Sequence, residues 1–195
     1  MTGSPSAPDQ LDLVPDGLLV GRAADGDTAA FEALARRHGP VMRASARRLT
    51  GSLADADDVV QESLMQAWKQ LDTVRNGDAV KGWLLRITGS RSIDHLRLRK
   101  NHSDLGDLDH KLEAGAGAAH RDHPEHAALS GSRMDALKAA LAALPEEQRR
   151  CWVLKAFNDQ SYEEIAQTLN ISTASVRGRL ARARITLARE MEDWR

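Results

Sequence analysis

Ser161-Tyr162-Glu163-Glu164-Ile165-Ala166-Gln167-Thr168-Leu169-Asn170-Ile171-Ser172-Thr173-Ala174-Ser175-Val176-Arg177-Gly178-Arg179-Leu180 reads as two short helices around one sharp turn. Ser161 with Glu164 three residues on is a capping box, in which a serine hydroxyl and a glutamate carboxylate each satisfy an end amide of the helix. The helix it opens has Ile165, Ala166 and Leu169 to bury. Asn170 stands where the chain must reverse, and asparagine is the non-glycine residue that best tolerates the left-handed conformation. Ser172 then caps a second helix, on which Val176, Leu180, Ala183 and Leu187 share one face at helical spacing. Ala174, Ser175, Gly178, Ala181 and Arg182 point away from that face, with Arg177 and Arg179 on its flanks and Arg184 beyond. This is the pattern of a helix-turn-helix: small residues let the second helix approach the floor of a major groove, while arginines reach phosphates or guanine edges. The plainer reading is a bundle helix with a basic outer face. Against it, the acid-free run from Ile171 to Arg189 coincides with the cap, the turn and the apolar stripe.

Working outward toward the N-terminus, Met134, Leu137, Leu141 and Leu144 predict a helix that stops at Pro145. Pro145-Glu146-Glu147 then supplies the proline and acids of a first turn, opening a helix that carries Trp152, Val153, Leu154 and Phe157. From His102 to His126 the pattern dissolves into Asp, His, Gly and Ala, the composition of an interdomain linker. Its five histidines have no cysteine beside them and no framework to converge on a metal, so no metal site and no cofactor are expected. Upstream, Trp83, Leu84, Ile87, Ile93 and Leu96 predict a helix from about Lys81 to Arg99, with Thr88-Gly89-Ser90 weak enough in helix propensity to open as a loop. Val60, Leu64, Ala67, Trp68 and Leu71 form a cleaner stripe, preceded by Asp55, Asp57 and Asp58 at the positive end of the helix dipole. Phe31, Leu34, Val41, Met42 and Leu49 make an interrupted stripe in which Gly39-Pro40 predicts a bend or a break.

Ala, Leu and Arg dominate, and aromatic residues make up only 4% of the 195 residues, so the fold is expected to be all-α. Two small helical domains joined by a flexible linker are expected: a loose start over 1–15, one domain over 16–101, the linker over 102–126, and the helix-turn-helix domain over 127–195. The net charge is only −1, so no uniform basic coat is present. Charge is instead segregated. Arg86, Arg91, Arg97, Arg99 and Lys100 face only Asp94 in their segment, whereas no Lys or Arg interrupts Gly51 to Gln66 around Asp55, Asp57, Asp58 and Glu62. Opposite signs on separate segments point to at least two different partners. The single cysteine, Cys151, excludes an internal disulfide and is expected to pack in the core. No apolar run nears the roughly 20 residues of a membrane span, and the first residues lack the order of a signal peptide, so a cytoplasmic protein without membrane insertion is expected.

Leu144-Pro145-Glu146-Glu147-Gln148-Arg149, Ser161-Tyr162-Glu163-Glu164-Ile165-Ala166, and Ile171-Ser172 followed by Ser175-Val176-Arg177-Gly178-Arg179-Leu180-Ala181-Arg182-Ala183-Arg184 resemble the C-terminal domain, region 4, of extracytoplasmic function sigma factors, of the sigma-70 family of bacterial RNA polymerase. Response regulators carry a similar motif, but the N-terminal half separates the two. Asp55-Ala56-Asp57-Asp58-Val59-Val60-Gln61-Glu62 with Ala67-Trp68 is similar to the family's region 2 segment that binds the coiled coil of the largest polymerase subunit. Trp83-Leu84-Leu85-Arg86-Ile87 with Ser92-Ile93-Asp94-His95-Leu96-Arg97 resembles the segment that captures the melted minus-ten strand. The resemblance implies a non-enzymatic sigma factor that binds core polymerase, at that coiled coil and at the flap region, and directs promoter recognition and melting. It also implies an anti-sigma factor as partner. By the same carry-over, Asp55, Asp57, Asp58, Gln61 and Glu62 face the polymerase, and Ser90, Arg91, Asp94, Arg97, Arg99 and Lys100 face the minus-ten strand. Ser172, Ser175, Arg177, Gly178, Arg179, Arg182 and Arg184 face the minus-thirty-five duplex. Two features depart from the family: Ser90 stands where an Asn that reads a flipped base is common, and Gly178 and Ala181 stand where larger contact residues are common.

Three other readings compete. A stand-alone helix-turn-helix transcriptional regulator would bind duplex DNA without polymerase, at a palindromic site. An enzyme would need a nucleophile, a base or a metal cage, and neither Cys151 nor the histidines of 102–126 have partners at recognisable spacing. A pure interaction adaptor accounts for the acidic patch but leaves the arginine-rich helix unused.

Overall fold

The computed structural model describes residues 11–106 and 130–191. Eight α-helices lie among the described residues, with no strand. Six facts of local chemistry set their ends. Asp27 accepts a hydrogen bond from the Ala30 amide at 3.1 Å and opens α2; Ser52 accepts from Asp55 and opens α3. Gly51 ends α2 at φ 77, a conformation that a Cβ would strain. The capping box of Ser161 and Glu164 is complete, and Asn170 closes that helix at φ 52. Ser172 caps the last helix by accepting from the Ser175 amide at 3.1 Å.

In chain order, α1 spans Asp16–Ala24, α2 Thr28–Thr50, α3 Leu53–Lys69 and α4 Val80–Gly106, with short 3-10 turns at Leu71–Thr73 and Gly77–Ala79 before α4. The second half holds α5 (Ser130–Ala143), α6 (Glu146–Ala156), α7 (Tyr162–Leu169) and α8 (Thr173–Glu190). Helices α1 to α4 enclose a core of Leu19, Leu34, Met42, Leu71, Val80 and Leu84. The helix-turn-helix core gathers Cys151, Val153, Leu154, Ile165, Val176 and Leu180. Helix α5 seats Ala140, Leu141 and Leu144 against Ala183 and Leu187 on the far end of α8.

Four expectations are corrected. The Gly39-Pro40 pair does not break the chain: α2 runs 23 residues through Pro40. Just before the proline, Arg37 and His38 hold Asp16 of α1, His38 Nε2 lying 2.8 Å from Asp16 Oδ2, and this clamp fixes the helix where its backbone ladder is weakest. Thr88-Gly89-Ser90 is not a loop but the middle of α4. The Thr88 hydroxyl donates to the Leu84 carbonyl and the Ser92 hydroxyl to the Thr88 carbonyl, both at 2.8 Å, so the polar side chains are satisfied inside the helix. On α3 the deepest residues are the small ones, Ala56, Val59, Ser63 and Ala67, while Val60 and Leu64 are half-buried and Trp68 is 38% exposed. Small residues let α3 sit close on α2, which rolls the larger ones to the rim. Finally, the start is anchored from residue 11: Arg36 pairs with Asp12, Arg37 donates to the Asp12 carbonyl, and Leu11 and Val14 pack on the core. Helix α4 continues to Gly106, into the segment expected as linker; residues 107–126 and the histidines His110, His120, His123 and His126 lie outside the described residues.

The halves are not separate modules in this structure. Leu49 of α2 and Ile93 of α4 belong to the core of the helix-turn-helix half, packed with Leu154, Ile165 and Val176. Arg86 pairs with Glu164, Arg97 donates to the Thr168 carbonyl at 2.7 Å, and the Arg48 guanidinium lies 4.5 Å over the Phe157 ring.

Candidate nucleic-acid interface

Helix α8 presents two faces of opposite kind. Val176, Leu180, Ala183 and Leu187 are buried, as the stripe predicts. Ala174, Ser175, Arg177, Ala181, Arg182 and Arg184 are exposed and Gly178 is half-buried. Among described residues, Arg177, Arg182 and Arg184 make no ion pair. A Cβ at Gly178 would stand 3.5 Å from Arg182 Nη1, so this guanidinium lies back along the helix over the glycine. Arg179 goes elsewhere: its Nη2 lies 2.8 Å from Glu147 and its side chain is only 20% exposed. It also reaches Cys151, whose thiol burial pushes up and the guanidinium pulls back. Ser172 and Ser175 share a hydroxyl contact of 2.9 Å at the helix start. Ile185, 71% exposed, continues the outward face beyond Arg182 and was not singled out from the sequence. The only signal for it there was an isoleucine interrupting an arginine row.

On α4 the basic residues are engaged within the chain. Arg91 Nε donates to Gln66 at 2.6 Å, Arg97 pairs with Asp94 at 3.3 Å as well as holding Thr168, and Arg99 is bound to Asp55. Ser90 is half-buried; Asp94 and Lys100 are exposed. These residues share one helix, yet Arg97 and, about two turns earlier, Gly89 face the helix-turn-helix half.

The acidic patch on α3 divides in the same way. Asp55, 16% exposed, is held by Arg99 and lies 3.4 Å from His95, and Asp57 accepts from Arg43 at 2.6 Å. Asp58, Gln61 and Glu62 are exposed. They continue along the helix into Met65, 60% exposed, and Trp68. Met65 and Trp68, with Phe31, Leu64 and Lys69, line a shallow apolar groove of ≈ 330 Å³. The Trp68 ring stands edge-on to Phe31 at 5.1 Å between centroids. Met65 was legible only as the next step of the Asp58, Gln61, Glu62 row, because it is not on the apolar stripe.

Comparison with known proteins gives these surfaces a common context. Residues 34–102 match the model of Sigma-70 region 2, and residues 134–187 match that of Sigma-70, region 4. The ECF RNA polymerase sigma-E factor of Salmonella typhimurium is 31% identical over 173 residues, 87% of this chain and 90% of the relative. RNA polymerase sigma factor CnrH of Cupriavidus metallidurans is 32% identical over 179 residues, 89% of this chain and 92% of the relative. Among solved structures, CnrH in complex with the cytosolic domain of CnrY superposes with a TM-score of 0.53 at 28% identity, covering 92% of this chain and 99% of that one. RpoE of Bartonella quintana in complex with the anti-sigma factor NepR superposes at 0.54 with 25% identity, covering 83% and 96%. A stand-alone regulator accounts for the second segment alone and is not favoured. With both segments present in order, and relatives matched over nearly their whole length, the chain belongs to the ECF RNA polymerase sigma factors.

Proposed function

We propose that the chain joins core RNA polymerase through the outward row of α3, captures the melted minus-ten strand with α4 and reads the minus-thirty-five duplex with α8. Residues 16–101 then serve as region 2, 102–126 as the linker and 127–195 as region 4. The polymerase-facing set is Asp58, Gln61 and Glu62, extended by Met65 and Trp68; Asp55 and Asp57 support it by tying α3 to α4 and α2. Acids beside an apolar groove suit a partner helix that is basic on one side and apolar on the other. The upstream DNA set is Ser175, Arg177, Gly178, Arg182 and Arg184, with Ser172 capping the helix and Arg179 bracing it from within. For the minus-ten strand, Ser90, Arg91, Asp94, Arg97, Arg99 and Lys100 line one helix, and the arginines exchange internal partners for phosphates when the strand binds.

The chain acts in the cytoplasm as a non-catalytic subunit. No helix among the described residues is long and apolar enough to cross a membrane. An anti-sigma factor restrains it, as the complexes of CnrH with CnrY and of RpoE with NepR suggest for their own partners.

One observation carries this reading: an exposed acidic and apolar row on α3 and an exposed, unpaired arginine row on α8 stand on the same chain. Asp58→Lys combined with Glu62→Lys tests the first row. Both side chains are exposed, so helicity should be unchanged, while capture of core polymerase in a pull-down should weaken about tenfold or more, roughly 1.4 kcal/mol. Undiminished capture would remove α3 from the polymerase interface.

A further inference from the structure

The loop between α6 and α7 carries a side chain with no business in its own half. Asn158 is fully buried, and both ends of its amide are spent on the N-terminal half. The Ser45 hydroxyl donates to its Oδ1 at 2.7 Å, and its Nδ2 donates to the Leu85 carbonyl at 2.6 Å. Ser45 is itself buried. The backbone of α4 makes room for this at one place. A Cβ built on Gly89 would fall 2.6 Å from Asn158 Nδ2, 2.8 Å from Leu154 Cδ2 and 3.3 Å from Gln160 Nε2, all atoms of the C-terminal half. Glycine in mid-helix is thus required by the docking and not by α4's own fold. Around this contact, Leu49 and Ile93 enter the other half's core, and Arg86, Arg97 and Arg48 close its edge on Glu164, Thr168 and Phe157. A buried amide satisfied at both ends specifies one arrangement, because any slip would strand a donor or an acceptor away from water.

That arrangement is incompatible with reading a promoter. Elements named for positions ten and thirty-five are separated by about 25 base pairs, some ~85 Å of duplex at 3.4 Å per step. Here Arg97 on the strand-capturing helix touches Thr168, at the end of α7 and directly ahead of the turn into α8. The strand-capturing helix is therefore held against the helix-turn-helix half that carries α8.

We propose that residues 157–160 are an intramolecular latch: Asn158, seated over Gly89, holds the chain closed, and the halves must part before both promoter elements can be read. This rests on the sigma-factor reading for its consequence, but not for its geometry.

Small-angle scattering on the full chain tests it, with wild type beside Asn158→Asp and Gly89→Leu. The aspartate removes the donor to Leu85 and sets a carboxylate against that carbonyl; the leucine fills the seat. Wild type should be compact, and both variants should show a radius of gyration larger by roughly a third or more, as two small bodies drawn apart require. Circular dichroism should show helicity retained; if Asn158→Asp loses it, Gly89→Leu decides. In run-off transcription at limiting chain concentration, Asn158→Asp should reach half-maximal initiation at a severalfold lower concentration than wild type. A wild-type chain as extended as the variants, or variants as compact as wild type, overturns the latch. Absence of any promoter-directed transcript with wild type would instead overturn the sigma-factor reading, and the scattering result would still decide the latch.

Discussion

Helices α8 and α4 both carry arginines proposed to meet DNA, and the chain treats them differently. On α8, Arg177, Arg182 and Arg184 are exposed with no internal acid, while the opposite face is sealed by Val176, Leu180, Ala183 and Leu187. On α4, Arg91, Arg97 and Arg99 are each engaged by Gln66, Asp94 with Thr168, and Asp55. A duplex is an intact rod of phosphate that a preformed basic surface can meet directly. An unpaired strand exists only after melting, so a surface for it gains nothing from standing open beforehand. On the proposed reading the difference separates two tasks: α8 would dock as it stands, and α4 would exchange its internal partners.

The contrast within α8 can be broken most forcefully from its hidden face. Leu180→Ala should destabilise the helix-turn-helix by about 2–5 kcal/mol through the lost burial and the cavity left behind, read from urea denaturation. Arg182→Ala should leave stability within about 0.5 kcal/mol and relax preference at one upstream base pair, where a bidentate arginine contributes about 1–3 kcal/mol of discrimination. Arg184→Ala should weaken binding evenly across promoter variants and lower the salt slope by about one. Equal loss on every variant with Arg182→Ala would make that residue a phosphate clamp.

Smaller effects sharpen the comparison at the junction. Ser161→Ala should cost about 1 kcal/mol by stripping the capping box from α7. Glu164 adds a pH dependence. The Ser161 amide, first, holds its carboxyl below the usual carboxylate range, opposed by burial and aided by Arg86. A depressed folded-state pKa stabilises fully above the unfolded value and is lost as pH falls through the folded one. The stability gap between wild type and Glu164→Gln, measured by thermal melts, should therefore shrink as pH drops below the ordinary carboxylate range. Because Glu164 is 40% exposed, the change should be small.

Much of this was written in short-range chemistry. The capping box, the left-handed Asn170, the Ser172 cap and the α8 stripe depend on residues a few positions apart, and the structure has each of them. What local pattern could not supply was any decision made by a distant surface. Gly89 looked like a helix breaker because propensity counts only the chain's own turn, whereas Asn158 sits on it from another half. Pro40 looked like a break for the same reason, and the clamp on Asp16 comes from another helix. Arg177 and Arg179 were both flank residues by spacing, and only packing turns the second to Glu147 while the first stays in solvent. Likewise Asp55 and Asp58 share a patch in sequence, and only packing assigns the first to Arg99.

The most direct test of the sigma-factor assignment is run-off transcription with purified core polymerase on a library of upstream sequences, with and without this chain. Selective initiation should appear only when the chain is present, should fall sharply with Asp58→Lys and Glu62→Lys together, and should change its upstream base preference with Arg182→Ala. Tight binding of the chain alone to a palindromic duplex, with initiation by core polymerase no more selective in its presence, would contradict the assignment of α3 to polymerase and of α8 to its promoter.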